Sequence, residues 1–278
     1  MVVTIDKRGL DGVRSANRTT CCVVGGGPAG AVLALLLARR GVDVTLLEAR
    51  SDFDRKFRGD IIHPSVMELM DRLGLAEEVL GIRHVRVDGP TVQTPKGPFT
   101  PVNFSRLKTR FPYMTVMPQK SFLELMTREA SRYPNFRLVM GARVRELVEE
   151  EGVVRGVRYE DRSGEEQEVR AILTVGADGR GSRVRRLAGF EPKKTSQPID
   201  VLWFELPKEE GDPGQGWIAR FGRGRIVILI DRFDRWQAGY IVPKGTYPEL
   251  RRAGMTALRR GFGRALPEFA GRMEHLKD

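Results

Sequence analysis

The first sustained run of apolar positions is Cys21-Cys22-Val23-Val24, which ends in the three glycines Gly25-Gly26-Gly27. A second run, Ala31 to Ala38, follows at once and stops at Gly41. This order predicts a buried strand, a glycine turn, a helix and a glycine stop. Asp43-Val44-Thr45-Leu46-Leu47-Glu48 reads as a second strand, and Val66, Leu69, Met70, Leu73 and Gly74 carry a helical pattern that predicts helix near 64–80. Gly89-Pro90, Pro95 to Pro98 and Pro101 then break residues 82–117 into short strands and turns. The stretches from Phe136 and from Ala142 alternate as strands, and Ala171 to Val175 is a continuous apolar run. Four segments rich in β-branched and aromatic residues follow, at 200–206, 216–221, 225–230 and 237–242, and predict an antiparallel sheet. The whole is an α/β pattern, with a Rossmann-like part interleaved with an antiparallel β-sheet part.

Chemistry enters at the first turn. The spacing Gly25-x-Gly27-x-x-Gly30, with Pro28 and Ala29 between, puts glycine where three things exclude a side chain. These are the tight turn, the close approach of backbone to a pyrophosphate, and the contact of helix with strand. A pyrophosphate there would rest on the amides of the helix N-terminus. Glu48 closes the second strand eighteen residues after Gly30. A carboxylate at that point can accept both hydroxyl protons of an adenosine ribose. The plainer reading of Glu48 is a solvated acid at a strand end. These features point to a dinucleotide site and do not separate FAD from NAD.

A second constellation chooses between them. The run ending at Val175 leads into Gly176-Ala177-Asp178-Gly179-Arg180-Gly181-Ser182-Arg183-Val184-Arg185. This resembles the Asp-Gly motif of the para-hydroxybenzoate-hydroxylase-like class A flavoprotein monooxygenases. The resemblance implies that Asp178 and Gly179 serve FAD and nicotinamide binding, with Ser182 and Arg185 as supports. The alternative is that Asp178 or Ser182 caps the helix that follows. Phe57-Arg58-Gly59-Asp60 resembles the family's flavin-contacting arginine, and Pro118-Gln119 the segment whose glutamine reaches the flavin. The plainer readings are a surface Arg58 and an exposed Gln119 at a helix start. The resemblance also puts Val144 where the family's backbone meets adenine.

Composition narrows the partners. Lys and Arg outnumber Asp and Glu by 47 to 36, but the excess is scattered, without the interleaved aromatics of a single-strand platform or a zinc-finger signature. No nucleic-acid role follows; attraction to anionic cofactors and substrates does. The longest apolar run is too short to span a bilayer. Adjacent Cys21 and Cys22 would face opposite sides of a strand, so they form no structural disulfide and suit a reducing, cytoplasmic setting. His63, His84 and His275 lack metal-ligand spacing, and no metal is implied. Trp203, Trp217, Phe221 and Tyr240 are aromatic candidates for a substrate wall and Arg220 a candidate anion partner, with packing the plainer reading for each.

The expected plan is an arm over 1–18, an FAD-binding domain over 19–80 and 114–192, and a substrate domain over 81–113 and 193–265. Residues 266–278 would begin a further part, because the family's third motif, a Gly-Asp pair ahead of a helix, does not occur in place; Gly211-Asp212 sits between sheet strands. The resemblance thus implies a C-terminally truncated monooxygenase. In that family NADH or NADPH reduces FAD, the reduced flavin captures oxygen as a C4a-hydroperoxide, and an aromatic or polycyclic small molecule is hydroxylated. Two alternatives stay open: a flavin reductase like the geranylgeranyl reductases, and a non-catalytic nucleotide-binding remnant. Catalytic residues and oligomeric state are not legible.

Overall fold

The structure, a computed structural model, describes residues 17–54, 60–94, 96–193, 195, 197–212, 216–222 and 225–276. Its elements run β1 (Arg18–Val24), α1 (Pro28–Arg39), β2 (Val44–Glu48), β3 (Ile61–Ile62), α2 (Pro64–Arg72), α3 (Ala76–Gly81), β4 (Val85–Val87), β5 (Pro90–Thr94), β6 (Gly97–Phe99) and β7 (Met114–Val116). They continue with α4 (Gln119–Ala130), β8 (Phe136–Met140), β9 (Arg143–Glu150), β10 (Val153–Glu160), β11 (Glu166–Gly176) and α5 (Arg183–Leu187). Last come β12 (Ile199–Pro207), β13 (Trp217–Gly222), β14 (Arg225–Asp231), β15 (Arg235–Pro243), α6 (Tyr247–Arg252), α7 (Gly254–Ala265) and a 3-10 segment, Pro267–His275.

Two compact units result, one within 1–55 and 119–193, the other within 56–118 and 194–278. The first is built on a six-stranded sheet of order β8-β2-β1-β11-β10-β9. Strands β8, β2, β1 and β11 are parallel, and β10 and β9 continue antiparallel. Helix α1 buries Gly30, Ala31, Ala34, Leu35 and Ala38, spaced at one helical turn, so small residues let it lie close on the sheet. Cys21 and Val23 pack on the face that holds Ala34 and Ala38, whereas Cys22 and Val24 pack on the other with Val157, Tyr159 and Val184. The period of two along β1 therefore separates the two cysteines, and both are free thiols.

The second unit carries a six-stranded sheet of order β12-β15-β14-β13-β5-β6 and a three-stranded sheet of order β3-β7-β4. The larger sheet is antiparallel except where β13 pairs parallel with β5, so the expected antiparallel sheet is mixed at that pair. One face packs Leu206, Leu229, Trp236 and Tyr240 against Phe262 of α7 and Leu266, Phe269 and Met273. Those last residues show that the stretch from 266 joins this core. On the other face, Ile228, Ile230 and Trp217 meet Val85, Val87, Met114 and Val116 of the small sheet. Residues 60–80 and 114–118, expected with the first domain, group here because β3, β7 and β4 share this core. The helix expected near 64–80 is two helices. Gly74, at φ +72°, stops α2, and the Leu75 amide donates back to the Met70 carbonyl at 2.8 Å. Among the described residues no helix is long and apolar enough to cross a membrane.

Candidate functional site

The carboxyl ends of β1, β2, β11 and β8 lie side by side: Val24 pairs with both Leu47 and Gly176, and Glu48 pairs with Met140. Ligands of open α/β sheets bind outside such ends. The glycine loop leaves β1 there, tied by the Gly25 amide to the Leu47 carbonyl at 2.7 Å and by the Ala177 amide to the Val24 carbonyl at 2.7 Å. Gly25 has φ +107°, and a Cβ on it would stand 2.5 Å from the Ala177 oxygen and 2.7 Å from the Asp178 nitrogen. Only a residue without a side chain lets the 176–178 segment pass so close. A Cβ on Gly30 would come within 1.9 Å of the Gly25 oxygen. The first and third glycines thus fold the loop onto itself and onto the Asp-Gly segment.

Gly27 precedes α1 in extended backbone and offers no side-chain cap. Pro28 takes the first helical position, where its missing N–H costs nothing, and Pro28 and Ala29 are exposed. The helix therefore presents the amides of Ala29 and Gly30 without an intrahelical partner. Glu48 is buried, 4% exposed. One carboxylate oxygen accepts from the Gly26 amide at 2.8 Å and the other from the Arg50 amide at 3.0 Å. The plainer reading of a solvated acid gives way to a buried anchor of the glycine loop. Gly26, which the sequence reading left without a role, belongs to the site: a Cβ there would lie 3.0 Å from the Glu48 carboxylate. The signal was present in the middle of the three consecutive glycines, where the x of the motif would allow any residue.

Asp178 and Ser182 follow the capping reading in their side chains. The Ser182 hydroxyl donates to one Asp178 oxygen, while the other accepts from the amides of Arg183 at 2.7 Å and Val184 at 3.2 Å. Ser182 Oγ accepts from the Arg185 amide at 3.0 Å. Arg185 donates to the Arg180 carbonyl at 2.9 Å, closing the loop beneath Gly179, which adopts φ +84° with open space around it. What the motif turns toward the glycine loop is the backbone of Ala177 and Asp178. The segment before Val144 reaches the same edge, since the Gly141 and Ala142 amides donate to the carbonyls of Arg50 and Glu48, both at 2.8 Å. Val144 itself sits opposite Tyr159, its side chain in the core with Leu47.

Gly25, Gly27, Pro28, Ala29, Gly30, Glu48, Val144, Asp178 and Gly179 are therefore gathered at one sheet edge. Gln119 opens α4, beside α1, with its side chain buried. Arg58 lies outside the described residues. An elongated, diphosphate-bearing dinucleotide suits this edge: a glycine cradle that side chains would fill, uncapped amides, and a carboxylate beside them. Among the aromatic candidates, Tyr240 is core, Trp203 and Phe221 are exposed and Trp217 is partly buried. Arg220 pairs with Glu268 at 2.7 Å, which accounts for its charge. Among the described residues no group of three or more His, Cys, Asp or Glu is placed to hold a metal.

The chain is 34% identical over 253 residues to 6-methylpretetramide 4-monooxygenase of Streptomyces rimosus, covering 91% of this chain and 60% of that protein. It is 32% identical over 176 residues to squalene epoxidase 5 of Arabidopsis thaliana, covering 62% of this chain and 34% of that protein. The chain thus spans between a third and three-fifths of the length of these curated relatives. A crystal structure of PqsL, a probable FAD-dependent monooxygenase from Pseudomonas aeruginosa, shares the fold with a TM-score of 0.71 at 23% identity, covering 93% of this chain and 70% of that one. The model of the FAD binding domain family matches residues 18–218, which hold the glycine loop, Glu48 and the Asp178 loop together, and the chain belongs to that family.

Proposed function

We propose that the protein is an FAD-dependent monooxygenase that consumes NADH or NADPH and oxygen to hydroxylate an aromatic or polycyclic small molecule. The observation that carries this reading is the contact of Gly25 with the Ala177–Asp178 backbone, which joins the two nucleotide motifs at one edge. The names of the relatives support the reaction class, since both are oxygen-inserting enzymes. In this reading Gly25, Gly27, Pro28, Ala29 and Gly30 hold the pyrophosphate and Glu48 accepts from the adenosine ribose. The backbone at Val144 meets adenine. Arg58 and Gln119 reach toward the flavin end, and Asp178 and Gly179 bring their backbone to the cofactor. The first unit then serves as the FAD-binding domain and the second as the substrate domain.

FAD, when bound, supplies hydride acceptance and oxygen activation. This chain's residues bind and orient it. Preformed amides at α1 cost no reorganisation when they meet the diphosphate. The buried Glu48, held by the amides of Gly26 and Arg50, presents its carboxylate in a fixed direction. Buried free thiols suit a reducing cytoplasm.

The test is the visible absorption of the purified chain after incubation with FAD and removal of unbound cofactor, repeated with Glu48→Ala. Flavin bands retained by the wild type and lost in the variant support the site, provided circular dichroism shows the variant folded. Oxygenated product from a phenolic substrate supports the reaction class; a wild type that keeps no flavin contradicts the assignment for this chain.

A further inference from the structure

The turn between β10 and β11 is tied more closely than a surface hairpin needs. One oxygen of the Asp161 carboxylate accepts from the Ser163 amide at 2.9 Å, the Ser163 hydroxyl at 2.6 Å and the Glu165 amide at 3.1 Å. The other accepts from the Gln167 side chain at 3.1 Å. The Asp161 amide donates to the Glu165 carbonyl at 3.0 Å, and the Gly164 amide donates to the Asp161 carbonyl at 3.2 Å. These bonds fix the backbone on either side of Arg162.

Arg162 leaves this turn across the segment that follows β8. A Cβ on Gly141, which has φ +79°, would stand 2.3 Å from Arg162 Cγ and 2.8 Å from its Nε, so the stem lies over the glycine. The guanidinium donates to the Ser51 carbonyl at 3.2 Å. The Gly141 and Ala142 amides already donate to the carbonyls of Arg50 and Glu48, so residues 48–51, 141–142 and 161–162 form one tied edge within the first unit. Arg162 is exposed, and among the described residues no carboxylate pairs with it. A long cation of this kind ordinarily trails into water; here it is laid down at the sheet edge with its outer face open.

The order of the strands indicates what would meet that face. From the glycine loop the sheet runs β1, β2, β8, with neighbouring strands about 4.8 Å apart. In the proposed function the diphosphate rests on the amides after β1, and the ribose on Glu48, which closes β2. The next group along a dinucleotide is the base, and the next strand is β8, which Gly141 follows at once. We propose that Arg162 is an adenine-binding residue, its guanidinium covering one face of the FAD base beyond the end of β8. The inference rests on the proposed function, which gives the ribose to Glu48 and adenine to the backbone at Val144. Adenine is a flat, uncharged π system, and a planar guanidinium stacks on such a face. The Ser51 carbonyl orients the guanidinium, and the missing Cβ of Gly141 lets the stem lie low.

The test is the affinity of the purified chain for FAD and for ADP, which carries the diphosphate, ribose and base alone. Both are measured by calorimetric titration, with urea midpoints alongside. Arg162→Ala is expected to weaken both ligands by about two- to fivefold, the size of an exposed cation–π contact, and to leave the midpoint nearly unchanged because the residue is on the surface. Arg162→Lys keeps the stem, the charge and a donor for Ser51 but loses the plane, so it should recover little of the affinity. Unchanged affinities in Arg162→Ala overturn the proposal. So does full recovery in Arg162→Lys, because the tether to Ser51 then accounts for the loss. Weaker FAD binding with ADP binding unchanged puts the effect away from the base and also overturns it. A wild type that binds neither ligand removes the proposed dinucleotide edge and the role of Arg162 with it, whereas wild-type binding of both with unaffected variants removes the role of Arg162 alone.

Discussion

Replacing Gly25 by Ala tests the close approach of the two motifs, because the structure separates the contributions by position. Gly25 combines a φ of +107° with backbone atoms of Ala177 and Asp178 between 2.5 and 2.7 Å from an added Cβ. Gly179 has φ +84° but nothing within 4 Å, so Gly179→Ala carries the conformational cost alone. Gly30 has ordinary helical backbone, and its added Cβ meets the Gly25 oxygen at 1.9 Å, so Gly30→Ala carries the contact cost alone. Placing a side chain in a sparsely populated backbone region costs about 1–3 kcal/mol. Forcing atoms into a packed site costs about 1–3 kcal/mol more. Gly25→Ala should therefore lose about 2–6 kcal/mol, a large share of the roughly 5–15 kcal/mol that holds a domain folded. Gly30→Ala regains about 1 kcal/mol of helix propensity against its clash. Urea midpoints at unchanged slope measure all three. FAD uptake should fail first in Gly25→Ala, since the Asp178 loop must move away. A Gly25→Ala variant no less stable than Gly179→Ala would refute the argument, for it would mean that the Ala177–Asp178 backbone does not press on the glycine loop.

Other consequences are open to measurement. Burial pushes the Asp212 carboxyl upward, but hydrogen bonds from Arg272, the Glu209 amide and the Trp236 indole, with the charge of Arg272, outweigh it and bring the pKa down to about 2. A carboxyl depressed on folding adds stability above its unfolded value of about 3.9 and loses it as pH falls toward 2. Acid unfolding followed by tryptophan emission should therefore lose part of its dependence between pH 4 and about 2 in Asp212→Asn, and an unchanged profile would show that the pair contributes nothing there. Burial also raises the Cys21 thiol to about 11 and the Cys22 thiol further, so neither should react with a thiol reagent at pH 8 until the chain unfolds; labelling of the native protein would contradict their position on β1. Gly239 lies across from Trp203, whose ring would be 2.8 Å from an added Cβ. If the exposed Trp203 ring can swing aside, Gly239→Ala should cost under about 1 kcal/mol while shifting tryptophan emission to the red, and a larger loss would mean that the ring is fixed.

Local order determined much of this protein from the sequence. Residues 20–48 spell out strand, turn, helix and strand because their signals act within a few residues: a period of two, a period of 3.6, glycine where φ must be positive. The acid closing β2 is fixed by the same local count, and the free state of Cys21 and Cys22 by the alternation of a single strand. Tertiary structure decided the rest, because pairing between distant segments leaves no mark on either alone. The Asp178 loop stands against Gly25 only because β11 inserts beside β1, about 150 residues away in the chain. That placement also consumed the Asp178 carboxylate in capping α5, which the sequence could state only as an alternative. The parallel pairing of β5 with β13 and the packing of residues 266–276 against α7 were settled by which apolar faces remained to be covered. Arg232 and Asp60 look like any surface charges in the sequence. Only burial makes each require the other, since a charge withdrawn from water must find its partner within the fold.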